Sequence, residues 1–423
     1  MTSTPTPREP STPQEPATAR RTLHTTRQRA DQAFNRGLAT VTSRSLGPYQ
    51  TAVVRIGFAF TWLVFLLREW PHRHELYGPD GPWDFALGEQ LVSNNQAFTA
   101  LLWTDSTSWF ELVYLLALAS SVTLALGWRT RTSSLLFMIG VLSLQNRSVF
   151  MGDGGDNVIH LMAMYLVLTR CAQVWSLDAR RARREQRPQQ QPPAQDITGV
   201  VLWSVLGLLL ALVTGASQLG LGWALFFWGM WAVHGLWWAV NRRGVGEPRQ
   251  LCDILAHIGH NGTLLVIMAQ VCFIYATAGW YKIQGSRWQD GTASYYPMHL
   301  DYFAPFPVLG ETLVSSSLIV LGMTYVTVII QVAFPFTVFH RRIKNVLLTV
   351  MIAEHLSIAV LMGLPFFSLA MIAADAVFLP ENFLRWTGAR VNGLRRRLLP
   401  GRRDRADDHP DPHSPEEVPL PVN

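Results

Sequence analysis

About ten apolar stretches run through this chain between residues 51 and 379, each near the ~20 residues that a helix needs to cross ~30 Å of hydrocarbon. Backbone in lipid finds no water to bond, so a spanning segment of this kind has to be helical. Charge usage agrees: Asp, Glu, Lys and Arg supply only 15% of the 423 residues, where a soluble domain carries about 25%. The expected fold class is all-α, a polytopic integral membrane helical bundle of about ten transmembrane spans (range 8–10) embedded in the lipid bilayer.

The spans fall near residues 51–67, 110–126, 133–150, 158–175, 197–215, 222–240, 254–275, 313–339, 346–364 and 366–379. Gly363 and Pro365 separate the last two so closely that they form either two crossings or a re-entrant hairpin. Residues 1–45 are rich in Pro, Ser, Thr and Arg; they predict a disordered basic tail and lack the compact apolar core of a cleaved signal peptide. Residues 46–385 form the membrane domain, interrupted by an Arg/Gln/Pro-rich linker at 176–197, and 386–423 predict a second disordered tail.

Lys and Arg are retained on the cytoplasmic side of a membrane. With both termini cytoplasmic and the spans alternating, 28 of the 35 cations fall inside, in the two tails and in the segments 129–131, 176–197, 242–249 and 341–344. The net charge of +6 is thereby spread over separate loops, which leaves no single basic footprint and excludes nucleic acid as a partner. Many of the 16 Trp residues crowd near span ends, as an interfacial belt requires. Cys171, Cys252 and Cys272 are too widely spaced to suggest a disulfide framework or a zinc site, and no metal is expected.

The most unusual segment is YATAGWYKIQGSRWQDGTASYYPMHLDYF, which follows the seventh span on the extracytoplasmic side. It holds Lys282, one of two lysines against 33 arginines. A desolvated Lys, unlike Arg, can shed its proton and act as a base; the plainer reading is a cation snorkelling to the interface. The Gly-rich turn MGDGGDNVIH is either a helix start capped by Asp156 or Asn157, or a loop that turns Asp153 and Asp156 towards the pocket of Lys282. Asp253, His257 and His260 share one face of the seventh span, with Asn261 beside them, a pattern that suits polar packing between helices better than a metal. Arg55 and Glu354 either pair across helices or snorkel separately.

The segment TAGWYKIQGSRW resembles the membrane portion of vitamin K-dependent gamma-carboxylases and of their bacterial relatives, the horizontally transferred transmembrane (HTTM) domain proteins. In that pattern an Ala-Gly pair ends a helix, a Lys follows and a Trp comes a few residues later; here these are Ala278, Gly279, Lys282 and Trp288. Two further pieces match in order: VVRIGFAFTWLVFLL with its early Arg, and EHLSIAVLMGLPFFSLAM with Glu354 and His355. GDGGDNVIHL and TRCAQVWSLDARR are similar to the actinobacterial-type HTTM proteins, so the likeness covers residues 45–385. Tyr281 stands where the animal enzymes have a second Lys, and the spacing to Trp288 is one residue longer. The carboxylases also continue into a large extracytoplasmic domain, where this chain has a short tail.

The resemblance implies that Lys282 is the base that deprotonates a quinol of vitamin K or menaquinone type, with His355 as a helper. Trp288, Asp290, Asp153, Asp156 and Glu354 complete the candidate pocket. The expected function is a quinol-linked enzyme of the plasma membrane that modifies a peptide or small molecule at the extracytoplasmic face. One alternative is a non-catalytic accessory protein for maturation or export of a secreted peptide, as in the sporulation-delaying system, acting with that peptide or a small membrane partner. A transporter ranks last, because no internal repeat is evident.

Overall fold

The computed structural model describes residues 17–185, 197–242 and 246–398, and every regular element among them is a helix. In chain order these are α1 (Ala17–Ser43), α2 (Pro48–Arg68), α3 (Arg73–Tyr77), α4 (Phe85–Asn95), α5 (Thr107–Leu126), α6 (Thr130–Arg147), α7 (Gly154–Leu168) and α8 (Leu177–Glu185). There follow α9 (Ile197–Gly215), α10 (Leu221–Arg242), α11 (Glu247–Gln284), α12 (Ser286–Gln289), α13 (Pro307–Val314), α14 (Ser317–Thr337), α15 (Arg341–Leu361), α16 (Pro365–Asp375) and α17 (Glu381–Leu398).

Six of these, α2, α5, α9, α11, α14 and α15, are long and apolar enough to cross a membrane; α16 and α17, bent by 117° at their junction, make a seventh if taken as one span. The remaining stretches of the expected ten fall short for identifiable reasons. α6 has 18 residues, with Arg131 in its first turn and Gln145, Asn146 and Arg147 at its end. α7 has 15 residues and α16 only 11, and α10 carries Trp, Gly and His where an ordinary span carries Leu or Val. The seventh span, expected at 254–275, is a 38-residue helix, about 57 Å long and so roughly twice the hydrocarbon thickness. Residues 17–43, expected to be disordered, are helical, and so are 177–185 at the start of the expected linker and, as part of a helix that begins at Glu381, 386–398 of the expected C-terminal tail. The rest of those three segments, 1–16, 186–196 and 399–423, lies outside the described residues.

Two groups of helices share α16: α2, α5, α6 and α7 on one side, and α11, α14 and α15 on the other. Small residues set the closest approaches, as they do between helices in lipid. A Cβ on Gly57 of α2 would lie 2.6 Å from Ala373 of α16, and one on Gly140 of α6 would lie 2.8 Å from Ala117 of α5. To the side, α9 and α10 clamp each other: Trp203 and Trp231 stack at 4.1 Å, and each indole N–H donates to the other's carbonyl at 3.0 Å.

Arg55 is fully buried in the first group. Its guanidinium donates to the carbonyls of Leu124, Ala125 (2.7 Å), Cys171 (3.2 Å) and Trp175 (2.8 Å). It therefore neither pairs with Glu354 nor snorkels; it ties the carbonyl end of α5, where a cation is favoured, to the turn after α7. Gly127, at φ +66°, ends α5 in a left-handed turn and leaves room for that guanidinium: a Cβ there would meet it at 3.0 Å. Asp178 of α8 caps α6 from about fifty residues away, accepting from the N–H groups of Arg129 (2.9 Å) and Thr130 (2.8 Å).

The polar face of α11 is a clasp. His260 accepts from the Arg170 N–H at Nδ1 (2.9 Å) and reaches the Leu46 carbonyl through Nε2 (2.8 Å), while Asn261 bonds Leu46, Val41 and Arg44. Asp253 lies 3.7 Å from Arg170. These groups anchor the α1–α2 turn to the end of α7, which is the polar packing between helices that their spacing suggested.

Candidate functional site

Lys282 lies in the last turn of α11, one residue of helix before the Gln284 end and Gly285 cap. Its ammonium sits 5.1 Å from the centre of the Trp288 ring on α12, a favourable cation–π distance. No carboxylate comes within ion-pair distance of Lys282 among the described residues, although the field of Glu354 reaches it. The other lysine is differently placed: Lys344, expected as a cytoplasmic loop cation, is buried in the first turn of α15 and donates to the Phe378 carbonyl.

Gly279 explains how α14 comes so near. A Cβ at this position would fall 2.7 Å from Val332 Cγ2 and 3.1 Å from its backbone N, so only glycine allows the two helices this contact. The approach sets Gln331 of α14 where its amide donates to Glu354 Oε1 of α15 at 3.0 Å. Glu354 and its neighbour His355 project about 100° apart around α15. Glu354 therefore faces α14, and His355 faces Tyr275 of α11 and Phe367 of α16, whose ring centre is 5.6 Å away.

His355 belongs to a buried chain of three groups. Tyr275 Oη lies 3.1 Å from His355 Nε2 and 2.9 Å from both carboxylate oxygens of Asp375. Tyr275 is 1% exposed, His355 2% and Asp375 0%. A phenol has one proton to give, so with Asp375 ionised the tyrosine donates to it and His355 donates Nε2–H to the tyrosine. His355 Nδ1 is then a bare acceptor. It has no partner, and neither do Gln331 Oε1 or Ser368 Oγ, all of them buried, while Glu354 is also bonded by the Thr327 side chain. Buried polar atoms are rarely left unpaired without a reason. A proton arriving at Nδ1 can be passed on: Nε2–H breaks as its proton moves to Tyr275, and the tyrosine proton moves to Asp375.

Tyr275 and Asp375 escaped the sequence reading, though both left a signal. Tyr275, Gly279 and Lys282 stand at i, i+4 and i+7 of one helix face. Asp375 is the lone carboxylate in the apolar run FFSLAMIAADAVFL, and an intramembrane carboxylate is by default a functional candidate.

The remaining candidates sit apart. Asp290 is exposed beyond α12, where it accepts from the Thr292 N–H at 3.0 Å and lies 3.6 Å from Arg287; the Thr292 hydroxyl holds its carboxyl below the usual range. It shapes a turn and contacts none of the cluster. Asp153 and Asp156 form a capping box on α7: Asp153 accepts from the N–H groups of Gly155 (2.6 Å) and Asp156 (3.0 Å), and Asp156 accepts from that of Asp153 (2.9 Å). That end of α7 abuts the Phe367 backbone beneath Gly155, one residue removed from His355. Compared with known protein families, with characterised proteins and with solved structures, the chain matches none.

Proposed function

We propose that this chain is a multi-pass membrane enzyme that removes a proton from a hydroxyl-bearing ligand of quinol type, with Lys282 as the base and the Glu354–His355 pair beside it. The observation that carries this reading is the conjunction of a lysine amine with no carboxylate at ion-pair distance among the described residues and a buried imidazole nitrogen, His355 Nδ1, that has no hydrogen-bond partner. The fit to a quinol rests on the same atoms: a phenolic hydroxyl needs an acceptor, and aromatic side chains stand beside them, Trp288 at Lys282 and Phe367 at His355. Such a ligand supplies an acidic O–H and, with oxygen, reducing electrons. The protein's part is to take the proton. With Lys282 as the neutral amine, the ligand O–H bond breaks, its proton forms the third N–H bond on Lys282 and the ligand is left as the phenolate, while Glu354 lies near enough for its charge to favour the resulting ammonium.

The depth suits a lipid-soluble ligand, since Tyr275 lies about 10 Å along α11 from Lys282. If α6, α7 and α10 also cross, as ten alternating spans require, the arginine distribution puts this end of α11 on the extracytoplasmic side of the plasma membrane and both termini in the cytoplasm. A secreted peptide or small molecule is then the substrate modified downstream of the proton transfer.

The test is oxygen-dependent consumption of menaquinol by the full chain in lipid nanodiscs. Wild type should consume quinol, and Lys282→Arg should lower the rate by about 100-fold or more while remaining folded, the loss of a general base. Equal rates in the two proteins, or none above empty nanodiscs, would reject the enzyme and favour the accessory reading.

A further inference from the structure

A cavity of about 1330 Å³ separates α5 and α6 from the α9–α10 hairpin, and no residue of the Lys282 cluster lines it. Its walls are apolar, with Val113, Leu136 and Ile139 facing Leu206 and Leu209. It runs along α9 from Gly199 to Val213, about 20 Å, and exceeds the ~300–1,000 Å³ of ordinary small-molecule sites. Aromatic rings stand at both ends. At one, Phe98 meets Trp223 and Phe227 at 5.3 and 5.2 Å. At the other, Arg131 stacks on Trp237 at 4.2 Å, with Arg170 at 5.8 Å from the same ring.

That second end is basic. Arg131, Arg170 and Arg183 line it, and the lining carboxylate, Asp178, is occupied by the N-terminus of α6. Asp253 lies 3.7 Å from Arg170 and 4.0 Å from Arg249, whereas among the described residues no carboxylate lies within ion-pair distance of Arg131, although the charges of Asp253 and Asp178 reach it. A guanidinium lining an apolar cavity calls for an anion. A long apolar slot with cations at one end matches one chemistry: a phosphate attached to long hydrocarbon chains.

We infer that this groove holds one anionic glycerophospholipid, its phosphate on Arg131 and Arg170 and its acyl chains between the α5–α6 and α9–α10 walls. The site is independent of the Lys282 reading. Native mass spectrometry of the full chain in mild detergent, with phosphatidylglycerol, phosphatidylcholine or inorganic phosphate added, tests it. One phosphatidylglycerol should be retained about tenfold more strongly than phosphatidylcholine, a difference of the size that one charge-assisted contact gives. An excess of inorganic phosphate should leave it in place, because the chains supply most of the binding. Arg131→Gln should lose most of the preference for the anionic lipid. Leu209→Trp, which fills the slot from a position already exposed to lipid, should lower retention of both lipids without changing the melting temperature. Equal retention of the two lipids, displacement by inorganic phosphate, or full retention in both folded variants would overturn the inference.

Discussion

At the scale of single residues, the site turns on atoms that lack partners and the scaffold on atoms that have them. Tyr275 joins the two, because its hydroxyl bridges Asp375 and His355. Tyr275→Phe removes that oxygen and leaves a fully buried carboxyl unpaired. It should destabilise the protein by about 1–3 kcal/mol and slow quinol consumption about 10–100-fold, measured as thermal unfolding in detergent and turnover in nanodiscs. Unchanged turnover would remove the relay from the mechanism. Arg55 is the opposite case. It satisfies four carbonyls in the core, so Arg55→Gln should cost on the order of 3–5 kcal/mol, by analogy with breaking other buried charge contacts, while the variant that still folds keeps the Lys282 site intact. Lys282 stood out in the sequence because lysine is so rare here, whereas Arg55 looked alike as a pair partner or a snorkelling cation. Composition marks an unusual residue, but only the fold tells which carbonyls converge on a buried cation.

Helices place those residues, and two glycines set how closely they do so. Gly279 admits α14 to α11 at the level of the site, so Gly279→Val should push Gln331 and Glu354 away from Lys282. Turnover should fall at least tenfold, beyond the loss expected from stability alone, since a displacement of ~1 Å can cost about 100-fold. Gly207, where a Cβ would lie 2.5 Å from the Trp231 indole, does the same for the α9–α10 clamp. Gly207→Leu should quench the Trp203–Trp231 stacking signal in near-UV circular dichroism and leave quinol turnover unchanged, because the clamp lies outside the cluster. At this scale the sequence was most legible for the existence of helices, since long apolar runs permit little else. Boundaries were harder. Trp280, Tyr281 and Lys282 continue α11 past the apolar run that defined it, up to the cap at Gly285. α1 gave no apolar stripe to find because it packs along α11 with a mostly polar surface. The ten expected crossings counted every apolar run, but 15-residue α7 and 11-residue α16 are too short to span alone.

For the whole molecule, the proposed orientation opens the end of α11 to the extracytoplasmic face, and the other lysine is buried in the first turn of α15. The fold gives a reason for the two lysines to respond differently: Lys282 rests on an aromatic ring, whereas Lys344 is tied to the Phe378 carbonyl. The most direct measurement treats right-side-out vesicles with a membrane-impermeant amine reagent, with and without menaquinol, and reads modification of both lysines by mass spectrometry. Lys282 should be modified, menaquinol should slow that modification severalfold, and Lys344 should stay unmodified in either case. Modification of Lys344 but not Lys282 would invert the topology, and a Lys282 rate indifferent to menaquinol would contradict the site.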